Sequence, residues 1–153
     1  MHIRPDDLSD SAIHALLEEH LRDMHALSPR ESVHALDLAG LRHPSITFWS
    51  AWDGDLLLGC AALRELDPQH GEIKSMRTPS AQRRRGAGRA LLTHIIAEAA
   101  TRGYGRLSLE TGAQAGFLPA QRLYAQAGFQ RCGPFGTYRD DPNSVFMTRL
   151  AQA

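Results

Sequence analysis

Cysteine is scarce in this chain and lysine almost missing, and each shortage removes a class of chemistry. The 153 residues contain two cysteines, Cys60 and Cys132, separated by 72 positions. They form no Cys-x-x-Cys pair, so neither a zinc knuckle nor a redox dithiol is encoded, and both read as small core residues of a reducing compartment. Lys74 is the only lysine and no Gly-Lys-Ser/Thr triplet occurs, which excludes a P-loop nucleotide hydrolase. Excess charge of either sign is also absent, because 17 basic residues cancel 17 acidic ones. A general nucleic-acid or membrane-surface binder therefore has no electrostatic support. No apolar run approaches the ~20 residues of a membrane span, and the opening Met-His-Ile-Arg-Pro-Asp-Asp has no apolar signal segment. A cytoplasmic protein without nucleic-acid or membrane partners is expected. The eight histidines show no His-Glu-x-x-His or other ligand spacing, so no metal is expected either.

What is present suits one globular domain spanning residues 1–153, with 42% hydrophobic and 22% charged residues. His2 to Arg4 can form a first strand. Ser9 or Asp10 can cap a helix carrying Ile13, Leu16, Leu17, Leu21 and Met24 on one face and ending near Ser28-Pro29. A second helix is expected from Arg30 to Ala39, closed by Gly40. Ile46 to Trp52 and Leu56 to Leu63 read as a hairpin turning at Asp53-Gly54. Strands follow at Gly71 to Thr78, Arg106 to Glu110, Phe129 to Cys132 and Val145 to Leu150. Helices are expected at Gly86 to Thr101 and Pro119 to Ala127. A three-strand meander thus precedes a β-α-β crossover, which requires a mixed sheet and excludes a regular doubly wound fold.

The richest stretch is Gln82-Arg83-Arg84-Arg85-Gly86-Ala87-Gly88-Arg89-Ala90-Leu91-Leu92. Two glycines open an apolar helix shortly after a strand. Glycine allows close approach of a bulky group, and the unpaired N–H groups of a helix start favour an anion. Clustered arginines add charge-assisted contacts to phosphate, although such a cluster also occurs as a plain solvated surface run. The pattern [Gln/Arg]-x-x-Gly-x-[Gly/Ala] is met by Arg83 to Gly88, and Leu123-Tyr124-Ala125-Gln126-Ala127-Gly128-Phe129 follows later. This pair of motifs resembles the GNAT superfamily of N-acetyltransferases over about Glu72 to Phe129. The ending Gly133-Pro134-Phe135-Gly136-Thr137-Tyr138 is similar to a small bacterial branch of unassigned substrate.

The resemblance implies an α/β fold of the α+β kind. Its sheet would be mixed, mostly antiparallel and twisted, with six to seven strands and about four flanking helices. It also implies acetyl transfer from acetyl-CoA directly to an amine on a small molecule or peptide, and a homodimer as a family habit. Backbone groups of Met76, Arg77 and Thr78 would hold the acyl group and pantetheine arm. The stretch Arg83, Arg84, Arg85, Gly86, Ala87, Gly88 and Arg89 would hold the pyrophosphate. Tyr124 would stand near the cofactor sulfur and protonate the leaving thiolate, since a phenol near pKa 10 is a feasible donor to a thiolate of about 8.5. Glu72 lies fourteen residues before Gly86, as does the base in the histone-acetylating branch. It would share a strand face with Lys74, Met76 and Thr78 and remove the amine proton through water, unless it merely pairs with Lys74. Glu110 and Thr111, at the end of a strand, are read as contacts for the acceptor, with Glu110 the alternative base. Tyr138 is placed in the acceptor pocket. One departure is Phe117, at the position seven residues before Tyr124 where the superfamily often has Asn.

Two further readings compete. Gly86-Ala87-Gly88 imitates part of a dinucleotide-binding fingerprint, but its third glycine position is Leu91 and the preceding loop is long for a tight turn. A non-catalytic acyl-CoA sensor on the same fold is the other, because fold alone does not fix activity.

Overall fold

The computed structural model describes residues 1–151. One seven-stranded sheet carries the fold, in the order β1-β2-β3-β4-β5-β7-β6. Its strands are β1 (His2–Pro5), β2 (Ile46–Asp53), β3 (Leu56–Asp67), β4 (His70–Arg77), β5 (Arg106–Gly112), β6 (Gln130–Cys132) and β7 (Ser144–Leu150). Every pairing is antiparallel except β4 with β5. The expected mixed, mostly antiparallel sheet is therefore found. The connection between the two parallel strands runs through α3 (Ala87–Thr101).

The helices cover both faces. On one, α3 and α4 (Leu118–Gln126) close a core containing Leu91, Leu92, Ile95, Leu107, Leu109 and Tyr124. On the other, α1 (Ser11–Leu27) and α2 (Leu38–Leu41) cover Phe48, Trp52, Cys60 and Ala62. Asp10 caps α1 by accepting from the Ala12 N–H at 2.8 Å. The helix stops where Ser28 donates to the Met24 carbonyl, just before Pro29. Its buried stripe is Ile13, Leu16, Leu17 and His20, so the polar His20 takes a place the apolar pattern assigned to Leu21.

Two local expectations change. The segment expected as one helix from Arg30 to Ala39 is a single 3-10 turn, Arg30–Ser32, then extended chain, then the short α2. Long-range bonds compete with the helix here. The Ser32 hydroxyl donates to Asp141 at 2.6 Å, and Asp37 restarts the helix by accepting from the Gly40 N–H at 2.8 Å. The β2–β3 loop is Gly54-Asp55, not Asp53-Gly54, since Asp53 still pairs with Leu56. With φ 57, Gly54 takes the first loop position, where a type II′ turn requires glycine.

The feature that positions a site is a bulge in β4. Lys74 pairs with Ala62 but Arg77 pairs with Cys60, so two residues, Ser75 and Met76, oppose Ala61 alone. Ser75 absorbs the extra residue with φ 52. The bulge reverses which face the following side chains take. Met76 packs into the α3 core, while Arg77 turns to the α1 side with Glu72 and Lys74. Strict alternation, which grouped Met76 and Thr78 with Glu72, fails at this point.

Candidate active site

β4 and β5 part company where the bulge begins. Their parallel pairing runs from His70–Arg106 to Ile73–Leu109 and then ends. Beyond it, Lys74 to Arg77 on one strand and Glu110 to Gly112 on the other border an opening of about 1110 Å³. The α1 helix, the extended segment after it and α4 complete the walls. Most of the residues singled out from sequence meet there: Glu72, Met76, Arg77, Thr78, Arg83, Arg84, Gly86, Arg89, Glu110, Thr111, Tyr124 and Tyr138 all line this cleft.

Three do not. Arg85 turns away and pairs with Asp53 at 3.0 Å on the surface. Ala87 is buried in the core under α3. Gly88 lies beneath Leu123, whose Cδ2 would stand 3.4 Å from an added Cβ. Smallness at position 88 lets α3 approach α4, which is a packing role. The side chain of Arg77 also does something other than expected, for it is held by Glu19 at 2.9 Å and by Asp23, both on α1.

The mouth of the cleft at α3 fits a phosphate group. Gly86 caps the helix in the left-handed region with φ 82 and no side-chain cap. Among the described residues, the amides from Arg84 to Arg89 bond no backbone carbonyl, and the helix's own bonding starts with Ala90 donating to Gly86. Those free N–H groups, the positive end of α3 and the Arg83, Arg84 and Arg89 side chains form an anion cradle.

Deeper in, five titratable groups surround the strand gap. Glu72 is 2% exposed; it pairs with Lys74 at 3.4 Å and accepts a hydrogen bond from the Tyr138 hydroxyl at 2.5 Å. Lys74 also donates to the Tyr138 hydroxyl at 3.1 Å. Burial, reinforced by the Glu72 charge, pushes the Tyr138 phenol far above its ordinary range. Glu110 has no such cation at hand. Burial pushes its carboxyl up to about 7, against the pull of the nearby Ser144 hydroxyl and the smaller pull of Lys74, and with a further push from Glu72 and Asp141. Burial and then the Glu110 charge raise the Tyr124 phenol to about 12, and no hydrogen bond enters the balance. Tyr124 stands edge-on to Phe129 at 6.0 Å between ring centroids, which fixes the ring.

Phe117 packs where the sequence departed from the superfamily pattern. It is 6% exposed and lies against Gly112, where an added Cβ would collide with its ring. Gly112→Ala is expected to destabilise the fold by about 2–3 kcal/mol, measured as a lower denaturation midpoint. Phe117→Leu in the same chain is expected to restore part of the loss.

Sequence reasoning singled out no individual residue of the α1 wall, where His20, Asp23, Met24 and Leu27 line the same cleft. No motif marks them, because their role comes from α1 docking beside the bulge. Lys74, as the sole lysine, was the one detectable signal for the buried cluster.

Comparison with known proteins agrees with this geometry. The family model described as Acetyltransferase (GNAT) family matches residues 13–129. The uncharacterized N-acetyltransferase YsnE of Bacillus subtilis strain 168 is 58% identical over 149 residues, covering 97% of this chain and 99% of YsnE. The uncharacterized N-acetyltransferase YedL of Escherichia coli K12 is 49% identical, covering 95% and 92%. A crystal structure from Klebsiella pneumoniae, provisionally named an acyl-CoA N-acyltransferase, superposes with TM-score 0.81 at 26% identity, covering 98% of this chain and 97% of that one. The match along most of the chain, on a sheet that splays beside a helix start with free amides, has one meaning: the chain belongs to the GNAT acetyltransferase family, the acyl-CoA-dependent N-acyltransferases.

Proposed function

We propose that this enzyme transfers an acetyl group from acetyl-CoA to a primary amine within the β4–β5 gap, with Tyr124 as general acid and Glu110 as general base. The observation that carries the reading is the convergence of the α3 anion cradle, Tyr124 and Glu110 on one cleft. The diphosphate would rest on the amides of Arg84 to Arg89, and the pantetheine arm would follow the backbone of Met76 to Thr78. The bulge supports this placement, since Ser75 and Met76 have left the regular ladder on both sides and their N–H groups could meet amide and thioester oxygens.

An alkylammonium of pKa about 10 must lose a proton before attack, and Glu110, at about 7, takes it. Nitrogen then bonds to the thioester carbon. As the C–S bond breaks, the phenol of Tyr124 gives its proton to sulfur and regains one from the nitrogen of the forming amide. A phenol raised to about 12 would not yield its proton to a free thiolate of about 8.5 without an uphill step. Coupling the transfer to loss of a proton from the positively charged nitrogen of the tetrahedral adduct, which is far more acidic than the phenol, removes that obstacle.

Glu72, which the sequence put forward as base, is occupied by Lys74 and Tyr138. In this proposal it holds Lys74 in place, and Lys74 and Tyr138 form the floor of the acceptor side. The test is to follow free thiol on incubating the protein with acetyl-CoA and a panel of amines. Acceptor-dependent release is expected; cofactor binding without it would favour the sensor reading.

A further inference from the structure

Among the described residues, five buried side-chain polar atoms have no hydrogen-bond partner: His20 Nδ1, Ser75 Oγ, Arg77 Nε, His94 Nε2 and Ser144 Oγ. Native folds leave few such atoms, because each has given up water without recompense. The first three belong to residues lining the same cleft. His20 comes from α1, Ser75 from the bulge of β4 and Arg77 from just beyond it, so two elements bring the three residues to one cleft. His20 and Ser75 are each 8% exposed, too buried to be ordinary surface groups.

We infer that His20, Ser75 and Arg77 form a subsite for a neutral carboxamide on the amine acceptor, as in an amino-acid amide or the first peptide unit of a peptide. The inference rests on the acetyl-transfer reading above and adds the chemical class of the acceptor. Each atom narrows the choice. Arg77 Nε–H can only donate and Ser75 Oγ can donate, so together they ask for a carbonyl oxygen. Burial, then the Arg77 charge, lowers His20 to about 4. Its ring is neutral at working pH, and Nδ1 can accept from an amide N–H. A free carboxylate fits poorly: the one guanidinium already faces Glu19 and Asp23, which leaves an excess of negative charge. A second ammonium fits poorly too, since Arg77 Nε–H has no lone pair to offer. Met24, Leu27 and Val33 on the same wall offer apolar surface to a side chain beside the amide.

The probes are leucinamide, leucine and isopentylamine, which share a carbon skeleton and differ in the group next to the amine. The readout is the ratio of kcat/KM for leucinamide to that for isopentylamine, in which any general loss of activity cancels. In the native protein the ratio is expected to exceed ten, with leucine below leucinamide by a similar factor. Ser75→Ala is expected to reduce the ratio at least five-fold. Ser75→Gly, which removes the hydroxyl and relieves the positive φ, should do the same if the alanine variant folds poorly. A native ratio near one overturns the inference. So does a ratio unchanged in both variants, or a loss confined to CoA affinity, which would assign these groups to the pantetheine arm. Should no amine release thiol, the transfer reading fails separately. The same ratio is then taken from the affinities of leucinamide and isopentylamine for the protein–CoA complex by saturation-transfer NMR, where a preference lost in Ser75→Gly sustains the subsite and no preference rejects it.

Discussion

Tyr124→Phe is expected to lower kcat for acetyl transfer by about 10²–10³ while leaving the dissociation constant for acetyl-CoA within about two-fold. The ring is buried and held edge-on by Phe129, and no hydrogen bond contributes to the state of its hydroxyl. Phenylalanine therefore keeps the packing and deletes only the proton donor, so this substitution isolates chemistry from folding. Single-turnover thiol release, measured beside a binding titration, checks it. A kcat close to the native one would remove Tyr124 from the mechanism and leave it a core aromatic of α4.

Glu110→Gln should produce two effects of opposite kind. In the native enzyme, kcat/KM is expected to rise with pH up to about 7, as Glu110 loses its proton, and then to level. Glutamine should abolish that limb and lower the plateau by about 10². The groups facing Glu110 are Ser144, Lys74, Glu72, Asp141 and Tyr124; Glu72 is the other carboxylate among the candidate bases, so Glu72→Gln is the necessary control. If Glu72→Gln removes the limb and Glu110→Gln preserves it, the base is Glu72. The second effect is on stability. A carboxyl whose folded pKa lies near 7, above its unfolded value near 4.5, favours folding in its protonated form. The native protein loses stability as pH rises between those values, by up to about 3 kcal/mol in all. Glu110→Gln is thus expected to be more stable than native at pH 8 and nearly equal to it at pH 4.5, as read by denaturant midpoints. A catalytic group strained by burial has that signature.

The two motifs around Gly86 and Tyr124 were legible because their chemistry is local. A helix start with glycine at its cap offers free amides wherever it occurs, and a tyrosine on a short helix stays within reach of the same cleft. The order of elements was legible too, since hydrophobic period and turn residues fix strands and helices over a few residues. The segment 30–39 was misread for the opposite reason: its helical pattern is overridden by Ser32 bonding to Asp141, far away in sequence.

By itself, then, the sequence determined the class of fold and the family, and it marked the glycine-opened turn and the tyrosine that the proposal uses, all of which depend on neighbours in the chain. Only the tertiary structure decided how the acidic groups divide their work. One extra residue in β4 reverses the faces after Ser75, ends the pairing with β5 and turns Arg77 toward α1. Burial then gives Lys74 to Glu72 and leaves Glu110 poised near neutrality. A carboxylate's role is set by which charges and how much water surround it, and those are properties of the packed molecule.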